Sequence, residues 1–420
     1  MIEIKPQKTI QAEITVPGSK SYTHRTFIAA ALSDGPCTVS NALRSEDTLL
    51  TLDALKAFGV SVEDRNGQFI INGTSGNLTA ADEIYLANSG TSMRLLTAIA
   101  ALAKGRSILT GTERMKERPI RDLLEALTQA GVEAKSLAGN GCPPVEIIGG
   151  DVKGGKVQIR CAVSSQYLSG LLLMAPCTKE GMEIQVTEGP VSKPYIDLTV
   201  DIMQRFGISL ERKGYEYFSV PGKQSYRSGS FTVEGDASNA SYFWAAAAVT
   251  GGKVKVRGIN GDSRQGDVRL TECFEQMGCR IIREKDGITL IGGKLRGIET
   301  DMGNMPDVAP TLAVVAAFAE GTTLIRNVAH LKAKECDRLT AVATELSKMG
   351  ADITATEDSL IIRGGNPLHG AEIETYKDHR MAMCMAVAGL KVPGVRITDE
   401  MCVEKSFPDF WEVFANLYTQ

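Results

Sequence analysis

Runs of small apolar residues that end in glycine recur along the chain. Six runs fit this description: HRTFIAAALSDG, SMRLLTAIAALAKG, QYLSGLLLMAPCTKEG, NASYFWAAAAVTGG, PTLAVVAAFAEG and HRMAMCMAVAGLKVPG. Their final glycines are spaced about 70 residues apart, which indicates an internal repeat. Each run has the length of a helix and is apolar on nearly all sides. The pattern therefore predicts six helices that are buried all round.

The segments between these runs follow one order. After each glycine the pattern predicts a short strand, as in CTVSNA, and then an amphipathic helix that closes on glycine, as in DTLLTLDALKAFG. A strand pair with turn residues follows in most copies, as in VSVEDRNGQFIING. Each repeat is therefore predicted to be a β-α-β-β unit plus a buried helix.

The two ends of the chain complement each other. The sixth copy stops after FPDFWEVFANL without a strand pair, whereas the chain begins with two strand-like pieces, IEIKP and AEITVPG, outside any repeat. We expect the N-terminal strands to complete the last repeat. Three repeats per domain then divide the chain near the polar stretch KQSYRSGS, giving a first domain at residues 15–228 and a second at residues 1–14 and 229–420. A single open solenoid is the alternative, but closure of the last repeat by the first strands favours rings.

Composition narrows the class of protein. The 420 residues are 43% hydrophobic and 23% charged, which is typical of a globular chain long enough for two domains. A net charge of −4 gives no electrostatic case for nucleic acid or anionic membrane as a partner. The nine cysteines include no CxxC pair, unlike a disulfide framework or a zinc site. The start, MIEIKPQKTIQ, lacks the features of a signal peptide, so we expect a cytoplasmic protein.

Polar or charged residues precede every buried helix, in PGSKSYT, ANSGTS, AVSSQ, GDASN, NMPD and KDHR. A helix N-terminus offers unpaired N–H groups and the positive end of the helix dipole, so several such ends together would bind phosphate or carboxylate. Cationic side chains accumulate at these ends and in nearby loops: Lys20, Arg25, Arg94, Arg114, Lys116, Arg118, Lys332, Lys334, Arg338, His379, Arg380 and Lys405. Capping needs no cations, so the sequence predicts an anionic substrate.

Each of these features also has a purely structural interpretation. GSKS lacks the adjacent Gly-Lys of a P-loop, and on its own it is a helix cap. Glu335 and Arg338 are three residues apart, and we predict that they share one helical turn with Lys334. A Glu–Arg pair at this spacing is commonly a solvated ion pair on the surface. Asp307 after Met305-Pro306 is a credible N-cap, and His379 is another capping candidate.

Taken in order, the segments resemble the enolpyruvyl transferase family over essentially the whole chain. The motifs that carry the resemblance are PGSKSYTHR, NSGTSMRLL, RMKERPI, SSQYLSG, VSKPYIDLT, EGDASNASYF, QGDVR, MPDVAPTLA, KAKECDRL, KDHRMAM and VEKSFPDFW. The resemblance implies an α/β fold, a two-domain inside-out α/β barrel built from six βαβαββ-type repeats around buried helices. It also implies that the two domains close over a cleft as substrates bind.

The resemblance further implies transfer of the enolpyruvyl group of phosphoenolpyruvate to the 5-hydroxyl of shikimate 3-phosphate, through a tetrahedral intermediate that loses phosphate. It implies no cofactor and no metal, glyphosate as an inhibitor, and, we expect, a monomer. The implied catalytic residues are Asp307 as base and Glu335 as acid, with Lys20 assisting proton transfer and neutralising developing charge. The implied contacts of shikimate 3-phosphate are Lys20, Ser21, Arg25, Ser164, Ser165, Gln166, Ser192, Tyr195, Asp307, His330 and Lys334. Those of phosphoenolpyruvate are Lys20, Gly90, Arg118, Gln166, Arg338, Arg380 and Lys405.

Some positions depart from the commoner family pattern. His24 stands where a small polar residue is frequent, Ala87 where glycine is frequent, and Leu95 where some members have proline. None of these removes a charged contact, but they bear on the shape of the pocket. The nearest rival is the sister enzyme that uses UDP-N-acetylglucosamine, which typically carries a reactive cysteine in the loop TGTERMKERPI; this loop has none. A non-catalytic repeat scaffold is the rival from another class.

Overall fold

The computed structural model describes residues 1–418 and divides the chain into two compact units. Gly18–Val233 form one, called here the N-terminal unit. Met1–Pro17 and the chain from Glu234 onward form the other, called the C-terminal unit. The domain boundaries expected from the sequence lie a few residues before these points. Within residues 1–418, no helix is long and apolar enough to cross a membrane.

Helices and strands are interspersed along residues 1–418. The α-helices are α1 (Lys20–Ala31), α2 (Glu46–Ala57), α3 (Gly90–Ala100), α4 (Arg121–Gln129), α5 (Gln166–Met174), α6 (Pro194–Arg205), α7 (Ala237–Thr250), α8 (Leu270–Gln276), α9 (Ala309–Ala317), α10 (Arg338–Lys348), α11 (His379–Gly389) and α12 (Phe410–Ala415). Short 3₁₀ segments span Met115–Glu117, Ala175–Cys177, Gly266–Arg269, Pro306–Val308, Ala329–Ala333, Glu400–Lys405 and Asn416–Tyr418.

The strands are short. They are β1 (Ile2–Glu3), β2 (Gln11–Thr15), β3 (Pro36–Ser40), β4 (Ser61–Arg65), β5 (Gln68–Asn72), β6 (Leu78–Thr79), β7 (Glu83–Tyr85), β8 (Ala103–Thr110), β9 (Glu133–Ser136), β10 (Val145–Gly149), β11 (Gly155–Arg160), β12 (Met182–Glu188), β13 (Glu211–Lys213), β14 (Tyr217–Val220), β15 (Gly229–Thr232), β16 (Lys253–Arg257), β17 (Arg280–Glu284), β18 (Gly287–Ile291), β19 (Glu299–Asp301), β20 (Gly321–Arg326), β21 (Asp352–Ala355), β22 (Leu360–Gly364), β23 (Glu372–Ile373) and β24 (Arg396–Ile397).

The sheets of both units share one plan, in which a parallel strand pair is extended by antiparallel strands. In the N-terminal unit the strand orders are β15-β3-β5-β4, β6-β8-β10-β9 with β7 also on β8, and β11-β12-β14-β13. In the C-terminal unit they are β17-β18-β16-β2, β19-β20-β22-β21 and β1-β24-β23. The parallel pairs are β3 with β15, β8 with β6 and β7, β12 with β11, β16 with β2, β20 with β19, and β24 with β23.

The two N-terminal strands join different sheets. β1 pairs antiparallel with β24, in the sheet of the sixth repeat, as the sequence suggested. β2 instead pairs parallel with β16, in the sheet of the fourth repeat, so the expectation that both strands complete the last repeat is wrong for β2. Its alternate residues Ala12 and Ile14 are buried in the same core as Val254 and Val256 of β16, which gives this pairing an apolar face.

The six predicted buried helices are α1, α3, α5, α7, α9 and α11, three in each unit. Every residue of α3, α7 and α11 is buried. Each unit has its own hydrophobic core around its three helices. Because a helix without an exposed face must be enclosed by other elements, the surrounding sheets and amphipathic helices follow from the apolar runs. The first turns of four of these helices carry predicted site residues, namely Lys20, Ser21, Gly90, Gln166 and Arg380.

Candidate active site

Lys20 is the first residue of α1, directly after the N-cap Ser19. Its Nζ lies 3.1 Å from Oδ2 of Asp47, a buried residue in the first turn of α2. A nearly buried ammonium is therefore held by a carboxylate from a neighbouring helix. Such a charge-assisted contact fixes the position of the ammonium.

Arg25 is buried one turn further along α1. Its Nε donates to Oγ1 of Thr199 at 2.7 Å, and its Nη2 donates to Oγ of Ser169 at 3.3 Å and to the carbonyl of Tyr195 at 3.2 Å. Its Nη1 donates to the carbonyl of Ser21 at 2.9 Å. Burial lowers the pKa of Arg25 to about 10. Among the described residues 1–418, these partners of Arg25 are all neutral oxygens. A buried charge without a counter-ion is unfavourable, so the arrangement favours an anionic ligand beside Arg25.

Gly90 begins α3 between two arginine side chains. A Cβ placed on Gly90 would lie 2.4 Å from Nη2 of Arg118 and 2.5 Å from Nη1 of Arg94. Arg118 is buried and donates from Nη1 to the carbonyl and Oδ1 of Asn88, at 3.0 and 3.2 Å. The missing side chain thus lets two guanidinium groups approach one helix N-terminus, which favours a small anion there.

The start of α5 lies beside the start of α3. Nε2 of Gln166 donates to Oγ1 of Thr91 at 2.9 Å, and Oγ of Ser164 accepts from the Gln166 main chain at 3.2 Å. Ser165 is the residue before α5. Ser192, in the loop that leads to α6, is buried and adopts a left-handed conformation with φ 55°. Its carbonyl accepts from the main chain of Tyr195 at 3.1 Å.

Asp307 is the hub of the charged groups in the C-terminal unit. Its Oδ1 lies 3.2 Å from Nζ of Lys334 and 3.0 Å from Nη1 of Arg338, and its Oδ2 lies 2.9 Å from Nη2 of Arg380. It lies in the 3₁₀ segment Pro306–Val308 before α9 and contacts these three cations. The interpretation of Asp307 as a simple N-cap is therefore wrong.

Arg338 is the most enclosed cation of this group, with a side chain 2% exposed. Its Nε and Nη2 donate to Asp378 at 2.7 and 3.1 Å, and Nη2 also donates to Oε2 of Glu335 at 2.7 Å. The side chain of Glu335 is only 8% exposed, so the interpretation as a solvated ion pair is wrong. Glu335 and Lys334 also lie before α10, which begins at Arg338 after the N-cap Asp337, so they do not share a helical turn with it.

Two further predicted residues of this unit, Arg380 and Lys405, lie in different elements. Arg380 donates from Nη1 to the hydroxyl of Tyr242 at 3.4 Å, and its main-chain N–H donates to Oδ1 of Asp378 at 2.9 Å. Asp378 is the N-cap of α11, so His379 is its first residue and not its cap. Lys405 is buried at the end of the 3₁₀ segment Glu400–Lys405.

Burial and close charges shift several pKa values here. Burial opposes the charged form of Arg338, but the carboxylates of Asp378, Glu335 and Asp307 raise its pKa. Burial lowers the pKa of Lys334, against the opposing effect of Asp307. Burial, followed by the charge of Lys334, lowers the pKa of His330 to about 4. Strongly perturbed groups gathered in this way are typical of functional sites.

Several residues of these clusters were missed by the sequence reasoning. They are Asp47, Thr91, Ser169, Thr199, Tyr242, Asp267 and Asp378. Burial, and then the neighbouring Asp307 carboxylate, raise the pKa of Asp267, which accepts a hydrogen bond from Ser238. Asp47 and Asp378 stand in first-turn or cap positions, where acidic residues are common for local reasons. Only their three-dimensional partners distinguish them.

The two units therefore share a plan in which buried helices begin at clusters of arginine and lysine. This combination defines an α/β enzyme that handles anionic substrates. Comparison with known proteins shows which family of enzymes this is. The family model described as EPSP synthase (3-phosphoshikimate 1-carboxyvinyltransferase) matches residues 4–414.

Curated relatives and solved structures agree with the family model. The 3-phosphoshikimate 1-carboxyvinyltransferase of Psychromonas ingrahamii is 43% identical, over 99% of this chain and 98% of its own. That of Methanoculleus marisnigri is 44% identical over 98% of both chains. The EPSP synthase structure from Acinetobacter baumannii superposes with a TM-score of 0.83 at 32% identity, over 99% of this chain and 97% of that one.

The chain belongs to the EPSP synthase family, and the resemblance drawn from its motifs is confirmed. It is a transferase that moves an enolpyruvyl group to shikimate 3-phosphate in the shikimate pathway. Its mixed α/β two-domain fold matches the solved EPSP synthases. The alternative acceptor, UDP-N-acetylglucosamine, is not favoured.

Proposed function

We propose that the charged clusters of the two units bind the substrates and carry out the transfer. The observation that supports this most is the binding of Lys334, Arg338 and Arg380 by Asp307. The proposed contacts of phosphoenolpyruvate are Lys20, Gly90, Arg118, Gln166, Arg338, Arg380 and Lys405. Those of shikimate 3-phosphate are Lys20, Ser21, Arg25, Ser164, Ser165, Gln166, Ser192, Tyr195, Asp307, His330 and Lys334.

Charge supports the proposed role of Asp307. In the C-terminal unit the carboxylates of Asp307, Glu335 and Asp378 face three cations. The donor carries a carboxylate and a phosphate, which compete with Asp307 for the N–H groups of Arg338 and Arg380. When the donor takes over these contacts, the ion pairs of Asp307 with the two arginines weaken. Asp307 then becomes a stronger base. Asp307 then accepts the proton of the 5-hydroxyl as its oxygen attacks C2 of phosphoenolpyruvate.

The opposite proton transfer is assigned to Glu335. In its protonated form the carboxyl group of Glu335 gives its proton to C3 of phosphoenolpyruvate as the new C–O bond forms, leaving the tetrahedral intermediate and a Glu335 carboxylate. Loss of phosphate, with return of a proton from C3, regenerates the enol double bond in the product. Lys20 helps both steps by neutralising charge that develops near it, and its contact with Asp47 holds it ready.

Arg25 supports binding of the acceptor. Its guanidinium is buried among neutral oxygens, so the carboxylate or phosphate of shikimate 3-phosphate supplies the missing negative charge. Burial disfavours the charged form of Arg25, and an anionic ligand that binds beside it offsets this cost.

The finer architecture belongs to the same proposal. The common sheet plan supports a two-domain inside-out α/β barrel built from six βαβαββ-type repeats, three in each domain. The nine free cysteines support a cytoplasmic protein, since an oxidising compartment would favour disulfides. We propose further that the enzyme acts as a monomer.

Phosphate release tests the function directly. The enzyme is given phosphoenolpyruvate with either shikimate 3-phosphate or UDP-N-acetylglucosamine, and phosphate is followed by a coupled assay. We expect release with shikimate 3-phosphate alone, and a large fall in kcat for Asp307→Asn with the acceptor's Kd nearly unchanged. Turnover with the nucleotide sugar alone, or parental kcat in Asp307→Asn, would overturn the assignment.

A further inference from the structure

His24 lies inside a buried chain of hydrogen bonds that joins three helices of the N-terminal unit. Its Nδ1 lies 2.7 Å from Oγ1 of Thr51, on α2, and that hydroxyl lies 2.8 Å from Oγ of Ser92, on α3. Oγ of Ser92 is 2.7 Å from Oγ of Ser89 and 3.2 Å from the carbonyl of Asp47. All five residues are at most 1% exposed, so water does not compete for these contacts.

The direction of every hydrogen bond in this chain is fixed by its last acceptor. A carbonyl only accepts, so the single hydroxyl proton of Ser92 goes to Asp47. Ser89 and Thr51 must then donate to Ser92. Because Thr51 has used its only proton, Nδ1 of His24 must donate to it. The imidazole therefore carries a proton on Nδ1.

The chain ends at two residues that adjoin the proposed donor site. Asp47, whose carbonyl accepts from Ser92, holds the ammonium of Lys20 with its carboxylate. Ser89 immediately precedes Gly90, where the guanidinium groups converge. The hydrogen bonds thus tie the start of α2 to the start of α3.

We propose that His24 is a positioning residue for phosphoenolpyruvate. Through Thr51 and Ser92 it sets the separation between the Lys20–Asp47 pair and the Gly90 turn, and so the width of the donor pocket. This inference rests on the assignment of Lys20 and Gly90 to donor binding.

Two substitutions of His24 separate its hydrogen bond from its bulk. His24→Phe keeps a ring but has no donor, whereas His24→Asn loses the ring but has an N–H close to the position of Nδ1. If the hydrogen bond matters, His24→Phe raises the KM for phosphoenolpyruvate about tenfold and leaves the Kd of shikimate 3-phosphate unchanged, while His24→Asn stays near the parent. A packing role predicts the reverse order and overturns the proposal.

Thr51→Val provides a second, nearly isosteric break in the chain. We expect it to raise the KM for phosphoenolpyruvate as His24→Phe does, with a smaller change in kcat. The matched control is Thr97→Val on α3, which removes an equally buried hydroxyl that donates only within its own helix, to the carbonyl of Met93 at 2.7 Å. Equal KM values for the two valine variants would contradict the proposal.

Nitrogen-15 NMR of the parent enzyme tests the chain without any substitution. Long-range proton–nitrogen correlations assign the protonated ring nitrogen of His24, and a proton absent from Nδ1 overturns the proposal. Gly90→Ala and Lys20→Met supply the remaining distinction. If both leave the KM for phosphoenolpyruvate unchanged while His24 is protonated on Nδ1, the donor-site assignment has failed and the positioning role fails with it. If both raise the KM but His24→Phe does not, only the positioning role has failed.

Discussion

Asp378 holds the guanidinium of Arg338 by two hydrogen bonds, from Nε at 2.7 Å and from Nη2 at 3.1 Å. Both side chains are at most 2% exposed. The same carboxylate accepts the main-chain N–H of Arg380 at 2.9 Å, as the N-cap of α11. One buried acidic group therefore contacts both of the C-terminal unit's arginines that we assign to the donor, Arg338 and Arg380.

Arg338→Lys tests this contact, because an ammonium cannot reproduce the planar fork that meets Asp378. The variant keeps the positive charge, but it leaves the buried carboxylate of Asp378 without one of its two hydrogen bonds from residue 338. We expect kcat/KM for phosphoenolpyruvate to fall about 100-fold, corresponding to about 3 kcal/mol. Arg363→Lys is the control, since Arg363 pairs with Asp352 on the exposed surface of the same unit. A comparable loss in the control would show that any Arg–Asp pair matters equally.

The loop before Asp378 is held from the same helix as Arg338. Glu345 of α10 is a fully buried carboxylate that accepts from the hydroxyl of Tyr376 at 2.7 Å and from the main chain of Glu374 at 3.0 Å. Tyr376 and Lys377 both adopt left-handed conformations, with φ of 54° and 55°. Two consecutive non-glycine residues in this region are unfavourable unless their surroundings fix them.

Tyr376→Phe removes one of the contacts that fix this loop. We expect Asp378 to become less ordered and the KM for phosphoenolpyruvate to rise about fivefold, with a loss of stability of about 1 kcal/mol. Tyr226→Phe is the control, because the buried Tyr226 hydroxyl donates to the carbonyl of Leu173, in the N-terminal unit. It should lose similar stability without a change in KM, and identical KM values for all three proteins would count against the loop's role.

The sequence predicted the elements better than their long-range partners. The six buried helices were predictable because an apolar run with no polar face has only one stable environment. The destination of β2 was not, since a five-residue strand with alternating burial fits the edge of more than one sheet. Pairing across many residues depends on the assembled fold rather than on local pattern.

The candidate site shows the same limit. Lys20 and Arg338 were identified from motifs, but their carboxylate partners, 27 and 40 residues away, resemble ordinary capping residues in the sequence. The spacing of Glu335 and Arg338 suggested a surface pair on one helical turn. The chain is in fact extended at Lys334 and becomes helical only at Arg338, after the N-cap Asp337, and this places Glu335 inside the cluster.

Gly90→Ala tests the donor pocket with glyphosate, an inhibitor of this enzyme class. The added Cβ would lie within 2.5 Å of the Arg94 and Arg118 guanidinium ends, so these flexible ends must move. We expect the Ki of glyphosate to rise at least about tenfold and the KM for phosphoenolpyruvate to rise less, because the donor has a shorter chain and tolerates a shorter pocket. Equal inhibition constants for parent and variant would contradict the placement of Gly90.

The pH dependence of stability tests the environment of His330. Its folded-state pKa of about 4 lies below the ordinary value of 6.5, because burial and Lys334 disfavour the imidazolium. Between these pH values the unfolded chain binds a proton that the folded enzyme does not. The contribution is therefore complete above pH 6.5 and is lost as the pH falls toward about 4, by at most about 3 kcal/mol.

His330→Gln removes this titration. We expect the variant to gain stability relative to the parent as the pH is lowered from 7 to 4.5, measured by urea unfolding, and NMR of the parent to give a pKa for His330 well below 6.5. His369→Gln, at an exposed imidazole of the same unit, is the control and should follow the parental curve. A parallel curve for His330→Gln would show that the imidazole is not shielded as described.

Glu335→Gln separates catalysis from binding in the C-terminal unit. Glutamine keeps the size of the side chain and its carbonyl can still accept from Nη2 of Arg338, which lies 2.7 Å from Oε2 in the parent. It cannot deliver a proton as an acid, so kcat should fall by roughly 10²–10⁴-fold if general acid catalysis is its role. Isothermal titration should show that shikimate 3-phosphate binds nearly as before.

Glu272→Gln is the matched control, because Glu272 forms an exposed pair with Arg269 at the same sequence separation. Loss of both binding and turnover in Glu335→Gln would indicate a structural role. A kcat near that of Glu272→Gln would exclude Glu335 as the acid, because the substitution removes the acidic proton and changes little else.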